Sequence, residues 1–197
     1  DVYKRQAFGM PIPITAVQIL SVDLVGEMLP LMALTFDPPE KTLMQQPPRK
    51  LGSHIISRSR LLELVLFGIL MGLGAYFSFF MVLDSGGSTG MAQAAAFLGI
   101  VLIQYVNILS RRSVNTLFSR HLFANRQLGL SLLFSFGIVA AMTSLPGPGT
   151  WFGFEPLRLQ DWLWPVAAAL AFLACFEFRK RFPDREHSGD TAGTALD

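Results

Sequence analysis

With only one cysteine, Cys175, the sequence has no means of forming an internal disulfide or a cysteine-rich metal site. Histidine is almost as scarce. His54, His121 and His187 fall in connections or the tail, without acidic or thiol partners at ligand spacing, and read as solvated surface residues. Charge is low: 15% of the 197 residues are Asp, Glu, Lys or Arg, against roughly 25% in an average soluble domain. There is no nucleophile elbow, and Gly86-Gly87 sits in a short turn that lacks a phosphate-cradling pattern. A net charge of +2, spread over several connections, offers no footprint for nucleic acid.

What the sequence does have is apolar length. Hydrophobic residues make up 51% of the chain, and the mean hydropathy is +0.44. Five apolar stretches run from about Ile14 to Phe36, Leu61 to Leu83, Ala94 to Leu109, Leu128 to Leu145 and Trp162 to Phe178. Each is near the length of roughly 20 residues that crosses a bilayer as a helix. The fold class is therefore all-α integral membrane, with five transmembrane helices and the lipid bilayer as solvent. Residues 1–13 form an outer segment, 14–36 the first span, 37–60 an inner connection, 61–178 a four-helix bundle and 179–197 a tail. Glu63 and Glu177 lie at segment ends, where carboxylates reach the headgroups.

Orientation follows from the basic residues. Lys41, Arg49, Lys50, Arg58 and Arg60 lie between the first two spans, and Arg111, Arg112, Arg120 and Arg126 between the third and fourth. Arg179, Lys180, Arg181 and Arg185 follow the fifth, whereas the opposite connections hold only Arg158. This asymmetry predicts cytoplasmic basic loops and a cytoplasmic C-terminus. Trp151, Trp162 and Trp164 cluster at the opposite end, as an aromatic belt does. The polar run after Arg185 reads as disordered. The start, Asp1 to Gln6, is polar and has no apolar region of a signal peptide. A first span that runs inward with no span before it suggests a fragment of a longer chain.

The first span carries the chemistry. Asp23 and Glu27 stand inside it, four residues apart and so on one helix face. Each costs at least about 2.5 kcal/mol at membrane depth on insertion scales. Three residues on, Pro30 lacks a backbone donor and disturbs the turn before it, so the helix is expected to break there and free carbonyl oxygens. Carboxylates beside loosened carbonyls suit a hard cation. Acids that merely pair with a neighbouring helix are the plainer reading.

The runs Pro11–Leu20, Val22–Pro30 and Ala33–Pro39 together resemble the sixth transmembrane helix of P-type cation-transporting ATPases. Met44-Gln-Gln-Pro-Pro-Arg49 is similar to the family's next cytoplasmic motif, and Gln104-Tyr-Val-Asn107 with Arg111-Arg-Ser113 to its eighth helix and following loop. The resemblance covers about Ala7 to Arg185. It implies the sixth to tenth helices of a pump that couples ATP hydrolysis, through a phosphorylated aspartate, to cation transport. Asp23 and Glu27 then match cation ligands, and Gln104 and Asn107 match eighth-helix positions that contribute to some sites. Gly26 and Glu27 differ from the family's usual Thr and Asp, so Ca²⁺, Na⁺, K⁺ and H⁺ all stay open. No Asp-Lys-Thr-Gly-Thr or Thr-Gly-Glu motif occurs. ATP and Mg²⁺ would belong to the missing N-terminal part of the same pump, with no cofactor in this chain and no catalytic residue. The implied location is the plasma membrane of a prokaryote. The rival reading is a self-standing five-helix accessory subunit or small ion-coupled carrier.

Other residues carry smaller expectations. Gly68 and Gly72 have the small-xxx-small spacing of a packing seam, with a contact to a partner subunit as the alternative. Gln104 and Asn107 share a face and need hydrogen bonds inside the membrane. Asp37-Pro-Pro39 stops the first helix or serves as a hinge. The basic loop Arg111–Arg126 is topological or docks cytoplasmic domains.

Overall fold

The computed structural model describes residues 11–37, 58–112 and 125–181. The three histidines, the Pro38-Pro39 pair, the Met44–Arg49 motif and the tail after Arg185 lie outside the described residues. Every regular element among the described residues is helical. Five helices are long and apolar enough to cross a membrane: Ala16–Leu34, Arg60–Asp84, Thr89–Arg112, Arg126–Ser144 and Leu159–Lys180, here the first to fifth spans. They match the sequence segments to within a few residues, with one exception. The third span starts at Thr89, about five residues before its apolar run. Ser88 explains this: its Oγ accepts from the Met91 amide at 3.2 Å and donates to Glu155 at 2.6 Å, so the helix is capped ahead of its apolar part.

The third span is the core of the bundle. It touches all four others, and 61% of its apolar window is buried, against 33% or less for each of the rest. The second and fifth spans pack on it and on one another, while the first pairs with the fourth. Lipid gives helices no hydrophobic reason to associate, so close approach by small residues must do the work. Ala75 and Ser78 on the second span meet Gly99 on the third, where an added Cβ would stand 3.0 Å from the Ser78 oxygen. Gly74 faces Ile103 and Ala168.

The seam expected at Gly68 and Gly72 is absent among the described residues. Both glycines are exposed, with nothing within 4 Å of an added Cβ. Seam spacing on a helix says nothing about which face meets a neighbour; the buried face here is the one through Gly74, Ala75 and Ser78. Gly99→Leu should therefore lower unfolding stability in detergent by about 1–3 kcal/mol through overpacking. Gly68→Leu should change it by less than about 0.5 kcal/mol. Equal effects of the two in a denaturant titration would contradict this packing.

The first and third spans run parallel in constant register. Gln18 pairs with Gln93 and Asp37 with Arg112, both separated by 75 positions, and Gly26 lies against Val101 at the same offset. Parallel first and third spans are what alternating crossings require. Glu63 and Glu177 are paired: Glu63 takes Arg179 at 3.2 Å and Glu177 takes Lys180 at 3.0 Å. Phe67, Phe172 and Phe176 pack beside them, under Arg111 and Lys180. At the other end, Trp162 and Trp164 make edge contacts with Phe136 and Phe77, and Trp151 is exposed. The connection before the fifth span is pinned by buried Asp161, which accepts two bonds from the Arg158 guanidinium and one from its amide.

Candidate cation site

Pro30 shapes the first span from one turn away. The segment Ala16–Ser21 is α-helical, Val22–Glu27 is a π-helical turn, and Met28–Leu34 returns to α geometry through Pro30 itself. Proline cannot donate to the carbonyl of Gly26, four residues back, and its ring crowds that turn. Widening the turn by one residue relieves the crowding, and the Met28 amide reaches the Asp23 carbonyl instead. The irregular turn is thus the one just before Pro30, and it contains both Asp23 and Glu27.

Two neighbours hold this turn. Gly26 lets the backbone approach the third span, where an added Cβ would meet Val101 Cγ2 at 3.1 Å. From the fourth span, the fully buried Ser135 hydroxyl donates to the Gly26 carbonyl at 3.0 Å and also contacts the Val25 carbonyl. The carbonyls loosened near Pro30 are accordingly met by a hydroxyl. Glu27 is half-buried and Asp23 exposed on the flank of the described bundle. The two carboxylates are near enough for their charges to interact, and Glu27 is also within electrostatic reach of Tyr105. The Tyr105 hydroxyl is buried beside Ser135.

The eighth-helix positions divide. Gln104 is half-buried, and its Oε1 is buried with no hydrogen-bond partner among the described residues. Asn107 Oδ1 accepts from Arg111 Nε at 2.9 Å, one turn along, and is committed there. The structure thus groups Asp23, Glu27, Tyr105 and Ser135, with Gln104 on the adjoining face of the third span. Among the described residues no three His, Cys, Asp or Glu side chains gather into a metal cluster. Two carboxylates with uncharged oxygens nearby can neutralise and partly desolvate a hard cation, which needs further oxygen ligands to fill its shell.

Sequence reasoning missed Tyr105 and Ser135. A lone hydroxyl in an apolar span usually bonds its own helix, so composition gave no reason to single out Ser135. Tyr105 lies in the run Gln104-Tyr-Val-Asn107, where the two amides are the more conspicuous polar groups.

Polar clamps fix the span at both ends. At its N-terminal end, the fully buried Gln18 caps the helix with Thr15 and donates to the Phe152 carbonyl at 2.9 Å and to Gln93 at 3.3 Å. At its C-terminal end, Asp37 takes Arg112 Nε at 2.8 Å, and Asn125 donates to Asp37 and to the Ala33 carbonyl while capping the fourth span at Leu128. Gln18→Leu keeps the size but leaves the Phe152 carbonyl and the Thr15 amide without their side-chain partner. It should cost about 2–3 kcal/mol of stability, measured by denaturant titration in detergent. A cost under about 0.5 kcal/mol would mean the Gln18 clamp carries no stability.

The sequence is similar to known proteins. The family profile described as "Cation transporting ATPase, C-terminus" matches residues 11–182. A calcium-transporting ATPase of Bacillus subtilis is 30% identical over 156 residues, covering 79% of this chain and 18% of that protein. A calcium-transporting ATPase of Listeria monocytogenes is 29% identical over 163 residues, 82% of this chain and 18% of that protein. The sodium/potassium-transporting ATPase subunit alpha-4 of Rattus norvegicus is 22% identical over 220 residues, 92% of this chain and 21% of the subunit. The chain spans about a fifth of the length of these relatives. It is an integral, multi-pass membrane protein, and it belongs to the family of cation-transporting ATPase C-terminal membrane regions.

Proposed function

We propose that this chain supplies part of the cation-binding and translocation pathway of an ATP-driven pump, with Asp23 and Glu27 as cation ligands. The observation that carries this reading is the π-helical turn Val22–Glu27, which places both acids inside an apolar span of a cation-ATPase chain. Gln104 is a supporting oxygen donor whose buried acceptor is still available. Asn107 acts through its bond to Arg111 unless that bond opens. The exposed flank at Asp23 is the side on which a further ligand-bearing helix of the full-length pump packs, completing the shell. ATP and Mg²⁺ act in the part of the pump that precedes this chain. The family match favours this reading over a self-standing accessory subunit or small carrier.

The transported ion is one of Ca²⁺, Na⁺, K⁺ or H⁺, and relatives of both calcium and sodium/potassium type leave the choice to experiment. Two carboxylates give the site a charge that suits Ca²⁺ or a pair of monovalent ions. In the full-length protein, phosphate release from ATP should depend on one of these ions, titrated separately. Turnover indifferent to all four would defeat the pump reading.

The orientation proposed is basic loops and C-terminus in the cytoplasm of a prokaryotic plasma membrane. In a Cys175→Ala background, Ser85→Cys in the outer turn should react with an impermeant thiol reagent on intact cells. Ser113→Cys should react only after permeabilisation. The reverse pattern would invert the topology.

A further inference from the structure

Hydroxyls inside apolar helices usually bond a carbonyl three or four residues back in their own helix. Four buried or half-buried ones here do so: Ser21 to Val17, Ser78 to Gly74, Ser131 to Leu128 and Thr143 to Val139. Ser135 does not. Its hydroxyl crosses to the first span and bonds the carbonyls of Val25 and Gly26, inside the π-helical turn. The side chain is fully buried, so water does not compete for those carbonyls.

Three circumstances converge on this contact. Pro30 leaves the Gly26 carbonyl without the amide that an α-helix would supply. Gly26 has no side chain, so the turn sits against Val101 and within reach of the fourth span. The two residues whose carbonyls Ser135 takes lie between Asp23 and Glu27. We propose that Ser135 is a positioning residue of the cation pathway. Its hydroxyl holds the Val25 and Gly26 carbonyls toward the fourth span, anchors the wide turn that Pro30 imposes, and leaves cation binding there to the carboxylates. This rests on the reading of Asp23 and Glu27 as cation ligands.

Removing the hydroxyl frees two carbonyl oxygens and unpins the turn from the fourth span, so Glu27 is no longer held in place relative to Asp23. Partners that orient metal ligands typically change affinity by about 10–100-fold when removed. In the full-length protein, Ser135→Ala should weaken the apparent affinity for the activating cation by roughly tenfold, with the maximal phosphoenzyme level retained. Ser135→Cys, similar in size and a weaker donor, should fall between Ala and the parent. Hydrogen exchange of residues 22–29, followed by mass spectrometry, should accelerate in the same order, because the Met28 amide bridges the turn.

If both variants keep the parental affinity and exchange while Glu27→Gln loses affinity, Ser135 has no positioning role and the pump reading survives. If Glu27→Gln is also silent, the ligand reading itself is wrong and the inference falls with it. A parallel loss of affinity, maximal level and folded protein in Ser135→Ala, with Ser135→Cys at parental affinity, would reduce the contact to simple packing and overturn the proposal.

Discussion

Glu27→Gln in the full-length protein should reduce the apparent affinity for the activating cation by about a hundredfold, the equivalent of about 3 kcal/mol. This is the scale on which losing a charged partner from a desolvated pair is felt. The substitution keeps the side chain's size, so the packing of the half-buried Glu27 should hardly change. Only the charge is lost. Asp23→Asn should be milder, nearer tenfold, because Asp23 lies on the exposed flank and an amide oxygen can still coordinate. Cation-dependent phosphoenzyme formation, titrated separately with Ca²⁺, Na⁺, K⁺ and H⁺, reads both effects. Unchanged affinity for every ion in Glu27→Gln would mean that the acid serves packing alone.

The second large effect is expected at the Asp37–Arg112 clamp. Arg112 is nearly buried, with 9% of its side chain exposed, and it meets Asp37, which is 28% exposed, at 2.8 Å. Asp37→Ala deprives the guanidinium of that carboxylate and Asn125 of one acceptor. Breaking a fully buried pair costs about 3–5 kcal/mol; partial exposure of Asp37 brings the expected loss to about 2–3 kcal/mol. Asp37→Asn keeps an acceptor for both neighbours and should cost about 1 kcal/mol. Denaturant titration in detergent separates the two. Equal costs for the two variants would show that charge plays no part in the clamp. The clamp also bears on coupling, because it ties the C-terminal end of the acid-bearing span to the third and fourth spans at once. Movement of the first span along its axis must break or carry this contact.

The five spans were legible because each is a long apolar run, and apolar length is a property of the sequence itself. Asp23, Glu27 and Pro30 were legible for the same reason: charge and proline stand out inside such a run. Proline chemistry even located the irregular turn, since it acts on the carbonyl four residues back. What the sequence does not carry is which face of a helix meets which neighbour. Gly68 and Gly72 have seam spacing yet face outward, while Gly99 of the third span, less conspicuous, packs against Ala75 and Ser78 of the second. Ser135 became visible only when the fourth span was placed beside the first. Arg112 reads in the sequence as one more topological charge; its register with Asp37 makes it half of an ion pair. Asn107 shares a motif with Gln104, but its oxygen is taken by Arg111, a competition settled by side-chain reach and not by spacing alone.

The most direct test of the ligand assignment is equilibrium binding of the activating cation to the full-length protein in detergent without ATP, comparing the parent with the double variant Asp23→Asn/Glu27→Gln. The account predicts saturable binding by the parent and at least one fewer bound cation in a folded, monodisperse double variant. The same number of cations bound with the same affinity in the double variant would contradict it.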